Sequence, residues 1–180
     1  MAKENNILGV EKLLLGAPGD GVMGASLTEF NDIEVGSITF EGSQANETTI
    51  PTEANDAYIT VDDTADPTTL TVRLFGVTPE QRVMLMGGRV GVLEDGEDEG
   101  NYLAPSAKTN IYLSAKLEAK EVNGKKGIIK IPYGKIAARE QGTITKNGLP
   151  AVDVTITANT PESSGGVEGS PYVVGFEDVV

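Results

Sequence analysis

Residues 111–132 read IYLSAKLEAKEVNGKKGIIKIP, and this stretch decides the fold class. Apolar and polar residues alternate from Ile111 to Lys120, which is typical of a β-strand with one buried face. Asn123-Gly124 comes next, and these two residues tolerate the positive φ angles of a tight hairpin turn. A second apolar run leads to Pro132, which indicates a sheet edge or an end to regular pairing. The stretch therefore predicts an antiparallel hairpin.

The same period of two recurs in four other segments and predicts further strands. These segments are residues 58–62, 69–75, 152–158 and 32–40, the last of which is interrupted by Gly36, a residue that indicates a bulge. One short helix is predicted at residues 79–86, because Thr78 and Gln81 can form a capping box, Pro79 suits the first helical position and Gly87-Gly88 ends the run. The chain is therefore predicted to be mainly β, with antiparallel sheet and one short helix.

Four long segments carry little regular pattern, namely residues 16–24, 41–56, 91–106 and 160–180. Loops of more than about 12 residues are uncommon in a compact domain unless they have a function or are disordered. We expect these segments to become ordered against a neighbouring subunit, where the entropy of ordering them is offset by the contacts they make.

The composition argues against catalysis. The chain has neither cysteine nor histidine, which excludes disulfides, thiolate metal sites, cysteine nucleophiles and histidine bases. No G-x-S-x-G or S-x-x-K motif is present. A carboxylate pair is the one catalytic arrangement left open by the 27 acidic residues, but there is no tryptophan to form a sugar platform. We expect a protein that is not an enzyme and has no cofactor.

Two motifs have simpler interpretations. Residues 19–24 match G-x-G-x-x-G, but no amphipathic helix follows, so a flexible arm is a better reading than a dinucleotide site. The acidic cluster at residues 94–99 lacks the spacing of a calcium-binding EF-hand loop. We expect a solvated loop there, with an adventitious cation site as the alternative.

The net charge and its distribution along the chain limit the partners that the protein can bind. The net charge of −13 argues against binding nucleic acid through its phosphates. Residues 108–146 nevertheless contain nine basic and only three acidic residues. This segregation suits either head-to-tail contact between copies or a hairpin with lysines on its wet face, and the sequence leaves both open. No stretch approaches the 18 apolar residues of a membrane span, and no signal peptide is evident, so no membrane partner is expected.

The order of these pieces resembles the major tail tube proteins of siphophages, the bacteriophages with long non-contractile tails. The resemblance covers about residues 27–160 and is carried by DIEVGSITFEG at 32–42, TTLTVRLF at 68–75, GVTPE at 76–80 and the helix ending at Gly87-Gly88. It implies an antiparallel β-sandwich or half-open barrel with one flanking helix.

The resemblance also implies a function. Subunits of this family form rings, usually of six copies, which stack into a tube through which double-stranded DNA passes. The expected partners are further copies of the chain and the tape measure, terminator and distal tail proteins. The expected location is the virion tail, after synthesis in the host cytoplasm. An acidic lumen repels passing DNA, which agrees with the net charge, and Thr69, Thr71, Thr155 and Thr157 are expected to face water.

This interpretation divides the chain into an N-terminal arm (1–26), a β-domain (27–160) and a C-terminal tail (161–180). The candidate contacts between subunits or rings are Leu13, Leu15, Val22, Gln44, Glu47, Asp95, Glu97, Lys125 and Lys126. The alternatives are another virion component, such as a tail terminator, neck or head decoration protein, or a β-sandwich binding module.

Overall fold

The computed structural model of the 180-residue chain describes residues 7, 9–44, 47–62, 65–142 and 150–179. This part of the chain is mainly β, as the alternation predicted. The strands are β1 (Val10–Gly16), β2 (Thr28–Phe30), β3 (Thr39–Glu41), β4 (Glu47–Thr52), β5 (Asn55–Asp62), β6 (Thr69–Leu74), β7 (Arg89–Val90), β8 (Tyr102–Leu103), β9 (Ile111–Val122), β10 (Lys125–Gln141), β11 (Ala151–Asn159) and β12 (Val173–Asp178). The helices are α1 (Pro79–Met86) and a 3-10 helix (Leu93–Asp98).

The main sheet is antiparallel and has the order β2-β1-β9-β10-β11-β6-β3, with β12 paired to the first half of β10. Two further pairs, β4 with β5 and β7 with β8, form small sheets of their own. Because β10 is 17 residues long, its first half pairs with β9 and β12 and its second half with β9 and β11.

The predicted β9–β10 hairpin is confirmed. Asn123 and Gly124 form its turn with φ angles of 53° and 77°. Pairing becomes irregular where Pro132 was expected to disturb it, since the register shifts between Ile131 and Gly134. The strand nevertheless continues to Gln141, because Pro132 occupies a bulge at which no ladder hydrogen bond from its nitrogen is required.

The sheet curls until its two ends meet. The chain that leaves β2 forms a bridge between Ile33 and Leu74 of β6. The Phe75 amide donates to the Asp32 carbonyl (2.8 Å), and the Glu34 amide donates to the Arg73 carbonyl (3.0 Å). One apolar core lies inside this barrel-like arrangement. It comprises Leu13, Leu15, Phe30, Leu70, Val72, Leu74, Val77, Leu85, Leu113, Ala115, Leu117, Ile129, Ile131, Ile136, Val152, Val154 and Ile156.

The prediction of a strand over residues 32–40 is wrong in its middle. After the bridge at Ile33, the chain turns at Val35 and Gly36, where the φ of Gly36 is 80°. Only residues 39–41 return to regular pairing, as β3. The break follows from the glycine, whose positive φ is disfavoured for other residues and ends an extended run.

Helix α1 forms as predicted. The Thr78 hydroxyl accepts from the Gln81 amide, the Gln81 side chain accepts from the Thr78 amide, and Pro79 begins the helix. At its other end, the Gly87 amide bonds to the Val83 carbonyl. Leu85 is buried in the core, so packing on the sheet stabilises a helix too short to be stable by itself.

Both predicted terminal segments need correction. Strand β1, inside the predicted arm of residues 1–26, pairs with β2 on one side and β9 on the other. Strand β12, inside the predicted tail of residues 161–180, pairs with β10. The segments 41–56 and 91–106 also contain regular structure, namely β4 with part of β5, and the 3-10 helix with β8. The assumed boundaries at 26/27 and 160/161 therefore do not separate the termini from the sheet.

Candidate assembly surfaces

The β4–β5 hairpin forms a two-stranded sheet that is separate from the main sheet. A turn at Glu53 and Ala54 joins its strands, and Ile50 lies opposite Ile59 in the ladder. The relative exposures are 49% for Ile50, 47% for Ile59 and 49% for Val61. These three side chains share one face, whereas Thr49 and Thr60 lie on the other face with hydroxyl oxygens 3.3 Å apart. An isolated two-stranded hairpin is only marginally stable in water, so its apolar face is suited to cover by a partner.

The hairpin is also acidic. Residues 47–62 include Glu47, Glu53 and Asp56, which are exposed, and contain no lysine or arginine. Of the predicted contact residues, Glu47 begins β4, and exposed Gln44 precedes the hairpin in the chain, where its carbonyl accepts from the Asp66 amide (3.0 Å).

A row of threonines lies on the outer face of β6 and β11. Thr71 pairs with Thr155 and Thr69 pairs with Thr157 in the register of the two strands. All four threonines are half-buried, while the intervening apolar residues of both strands are buried. The prediction that these threonines lie opposite the core is confirmed. They form a row of uncharged polar side chains on this side of the sheet.

A line of charges crosses the same outer face near the end of β6. Arg73 lies opposite Asp153, and Asp153 lies opposite Arg139. The Arg73 Nε atom is 3.4 Å from Asp153 Oδ1 and 3.6 Å from Glu34 Oε2, and Arg139 is 3.7 Å from Asp153. These residues, together with Lys108, line a cleft of about 520 Å³.

Several lysines of the basic stretch at residues 108–146 form ion pairs with carboxylates of the same chain. Lys116 (2.8 Å) and Lys130 (2.7 Å) both bond to Glu177 of β12 and thereby hold the pKa of that carboxyl below its ordinary value. Lys126 bonds to Glu11 (2.7 Å), which lowers the pKa of Glu11. Of the predicted contacts in this turn, Lys126 is thus engaged within the chain and Lys125 is exposed. Lys116, Lys126 and Lys130 are thus paired within the chain, and head-to-tail contact through the basic stretch stays a prediction.

The acidic cluster does not form a cation cage. Arg89 holds Asp95 in a two-pronged ion pair, and the Val92 amide donates to the same carboxylate (2.8 Å). These bonds lower the pKa of Asp95 to about 2. Asp95 is therefore a structural element of the 3-10 segment, while Glu97 is exposed. Among the described residues no group of three or more carboxylates could hold a metal ion.

The glycine-rich segment at residues 16–24 is ordered rather than a free arm. The Gly24 amide donates to the Ser114 hydroxyl (2.9 Å). The Asp20 carboxylate accepts from the amide (2.6 Å) and the hydroxyl (2.7 Å) of Ser164, and these bonds lower the pKa of Asp20. The next regular element is strand β2, so no helix follows the G-x-G-x-x-G pattern. Val22 is 61% exposed in this loop and remains available for a contact.

Leu13 and Leu15 were predicted as contacts, and the structure contradicts this. Both are fully buried, with 0% exposure, because β1 lies inside the main sheet and these residues point into the core. The candidate residues are thus dispersed: Gln44 and Glu47 at the hairpin, Asp95 and Glu97 on the 3-10 helix, Lys125 and Lys126 at the β9–β10 turn.

The features that sequence reasoning missed are the apolar face of the hairpin and the Arg73-Asp153-Arg139 line. The apolar face could have been found in the sequence, since Thr48, Ile50, Ile59 and Val61 fall at alternate positions around a short turn. The charged line could not, because residues 73, 139 and 153 meet only through strand register. Among the described residues, neither helix is long and apolar enough to cross a membrane. No protein-family model and no curated protein matches this chain.

Proposed function

We propose that this chain is a structural subunit that assembles with copies of itself into stacked rings, which form the tail tube of a long-tailed bacteriophage. Six copies per ring and a lumen for double-stranded DNA are what the resemblance to siphophage tail tube proteins implies. The subunit has no catalytic role in this proposal and needs no cofactor. Its partners besides itself are the tape measure, terminator and distal tail proteins.

The β4–β5 hairpin carries the proposal. In the monomer, Ile50, Ile59 and Val61 of this hairpin stay about half exposed to water, outside the core of the main sheet. Burying such a face against a second subunit removes about 25 cal/mol per Å² of apolar surface from water. The interface between copies supplies the cover that the monomer lacks.

The main sheet supports the same role. Among the described strands, β3 pairs with β6 alone, so its other edge can hydrogen-bond to a strand of a neighbouring copy. Beside it, the threonine row of β6 and β11 lies on the same face as the charged cleft, and Thr71 and Thr155 line that cleft. The net charge of −13 suits a subunit around a channel that DNA passes without binding.

Negative-stain electron microscopy of the purified protein over a range of concentrations, with light scattering for mass, tests the proposal. Hollow tubes or stacked rings of one diameter are the expected result. A closed ring that never stacks would instead support a terminator or neck protein. A folded monomer at every concentration, with or without other tail proteins, would contradict self-assembly.

A further inference from the structure

Along the chain, the β4–β5 hairpin lies between β3 and β6, and β6 leads to the charged cleft. Strand β6 begins at Thr69, which pairs with Glu41 of β3. The Asp66 amide donates to the Gln44 carbonyl (3.0 Å), which joins the two segments next to this pair. Arg73 lies near the other end of β6. At about 3.3 Å per residue, the six residues of β4 span roughly 20 Å.

The tip is an anionic group without a local counter-charge. Glu53 and Asp56 are exposed on either side of the turn, and neither belongs to an ion pair among the residues that the structure describes. The hairpin contains no basic residue of its own. A cation that neutralises the tip therefore has to come from elsewhere, in the same chain or another copy.

The cleft contains more cations than carboxylates, and one of its cations is only weakly paired. Three cations, Arg73, Arg139 and Lys108, line it against two carboxylates, Glu34 and Asp153. The Arg139 side chain is 74% exposed, and its ion pair among the described residues is a long one of 3.7 Å to Asp153. Within the described part of the chain, the buried Arg73 Nε–H has no hydrogen-bond acceptor, although Asp153 lies within ion-pair distance at 3.4 Å. The exposed Arg139 guanidinium favours an added carboxylate.

We propose that the acidic hairpin tip of one copy, Glu53 and Asp56, docks into the cationic cleft of a second copy, formed by Arg73, Arg139 and Lys108. This inference rests on the proposed function and names the receiving site for the hairpin. The two surfaces are different, so the contact is heterologous and repeats from copy to copy, closing a ring or extending a stack.

Cross-linking between copies tests the contact without altering any charge. The chain has no cysteine, so Ala54→Cys in the tip turn and Ala137→Cys in the cleft wall introduce single thiols at exposed alanines. The two single variants are mixed and treated with a short bismaleimide, and the product is identified by mass spectrometry. The expected product is a mixed dimer linked through the two introduced thiols. The control mixture pairs Ala54→Cys with Lys120→Cys, an exposed position at the far end of β9, and should give no mixed dimer.

A charge exchange then tests the chemistry of the contact. Arg139→Glu with Lys108→Glu in the cleft should abolish the mixed dimer, and adding Glu53→Lys with Asp56→Lys on the tip partner should restore it. Raising the ionic strength should reduce the yield of the unmodified contact, because the Debye length falls from about 30 Å at 0.01 M to about 3 Å at 1 M.

The outcomes separate this inference from the proposed function. Tubes without the mixed product, or a mixed product that charge reversal leaves unchanged, would overturn the docking site while the tube stands. The charge-dependent product in short oligomers that never form tubes would support the docking site and contradict the tube. Absence of the product in a sample that stays monomeric overturns both.

Discussion

Ile50 lies directly opposite Ile59 in the β4–β5 ladder, and both apolar side chains are about half exposed. Asparagine at both positions, Ile50→Asn with Ile59→Asn, removes the two isoleucines from the apolar face of the hairpin while keeping its length and charge. We expect loss of assembly in light scattering and electron microscopy. The free energy of unfolding of the main domain should change by less than about 1 kcal/mol, because neither isoleucine belongs to the core.

The matched control for this pair is Thr49→Asn with Thr60→Asn, on the opposite face of the same hairpin. Both variants lower β-propensity by a similar amount, so a difference between them reports the apolar face alone. Equal assembly by the two variants would contradict a role for Ile50 and Ile59 in subunit contact.

The burial of Leu15 predicts a large effect on stability. Truncating a fully buried leucine to alanine typically costs about 2–5 kcal/mol, so Leu15→Ala should lower the free energy of unfolding by that amount. Val22→Ala, at an exposed loop position, should change it by less than about 0.5 kcal/mol. Denaturant unfolding followed by circular dichroism measures both. Similar small effects at the two positions would mean that β1 is a surface arm after all.

Ser114 joins the glycine-rich loop to the irregular pairing at Pro132. Its fully buried hydroxyl donates to the Pro132 carbonyl (2.6 Å) and accepts from the Gly24 amide (2.9 Å). Ser114→Ala leaves the buried carbonyl and the amide without this partner, and we expect a loss of about 1–3 kcal/mol in the free energy of unfolding. Ser43→Ala, at an exposed serine, is the control. Hydrogen exchange of the Gly24 amide should increase only in the Ser114 variant.

The ion pairs of Glu177 in β12 with Lys116 and Lys130 predict that the stability of the protein depends on pH. Hydrogen bonds from Lys116 and Lys130 lower the pKa of Glu177 from 4.5, so the unfolded chain takes up its proton first as the pH falls. The contribution of Glu177 to stability is therefore full above the ordinary value of 4.5 and is lost as the pH falls through the lower folded-state pKa.

We thus expect wild-type stability to fall more steeply than that of Glu177→Gln as the pH falls below 4.5, with the two curves converging in acid. Unfolding by denaturant at a series of pH values gives both curves, and hydrogen exchange of the β12 amides reports local release of the strand. Glu168→Gln, at an exposed glutamate outside the ion pairs found in the described residues, is the control. Parallel curves for wild type and Glu177→Gln would contradict a contribution of the Glu177 ion pairs to stability.

The predictable parts of the fold are those decided over a few residues. Alternation from Ile111 onwards marked β9, Asn123-Gly124 marked its turn, and Thr78 with Gln81 marked the start of α1. Each signal is local because a turn, a cap or a strand face depends on neighbours in the chain. In the candidate surfaces, the outward position of the four threonines followed from the same period, while the β4–β5 hairpin was not predicted, because residues 41–56 were expected to be irregular.

The sequence by itself determined that the chain is mainly β, that it carries a large negative charge and that it lacks histidine and cysteine. Only the tertiary structure decided that Ile33 meets Leu74 to close the sheet, and that Leu13 and Leu15 face the core rather than a neighbour. It alone placed Arg73, Asp153 and Arg139 in one line and left the β4–β5 hairpin without cover. The physical reason is that strand pairing joins residues far apart in the chain, and register, which local periodicity does not contain, sets which side chains meet.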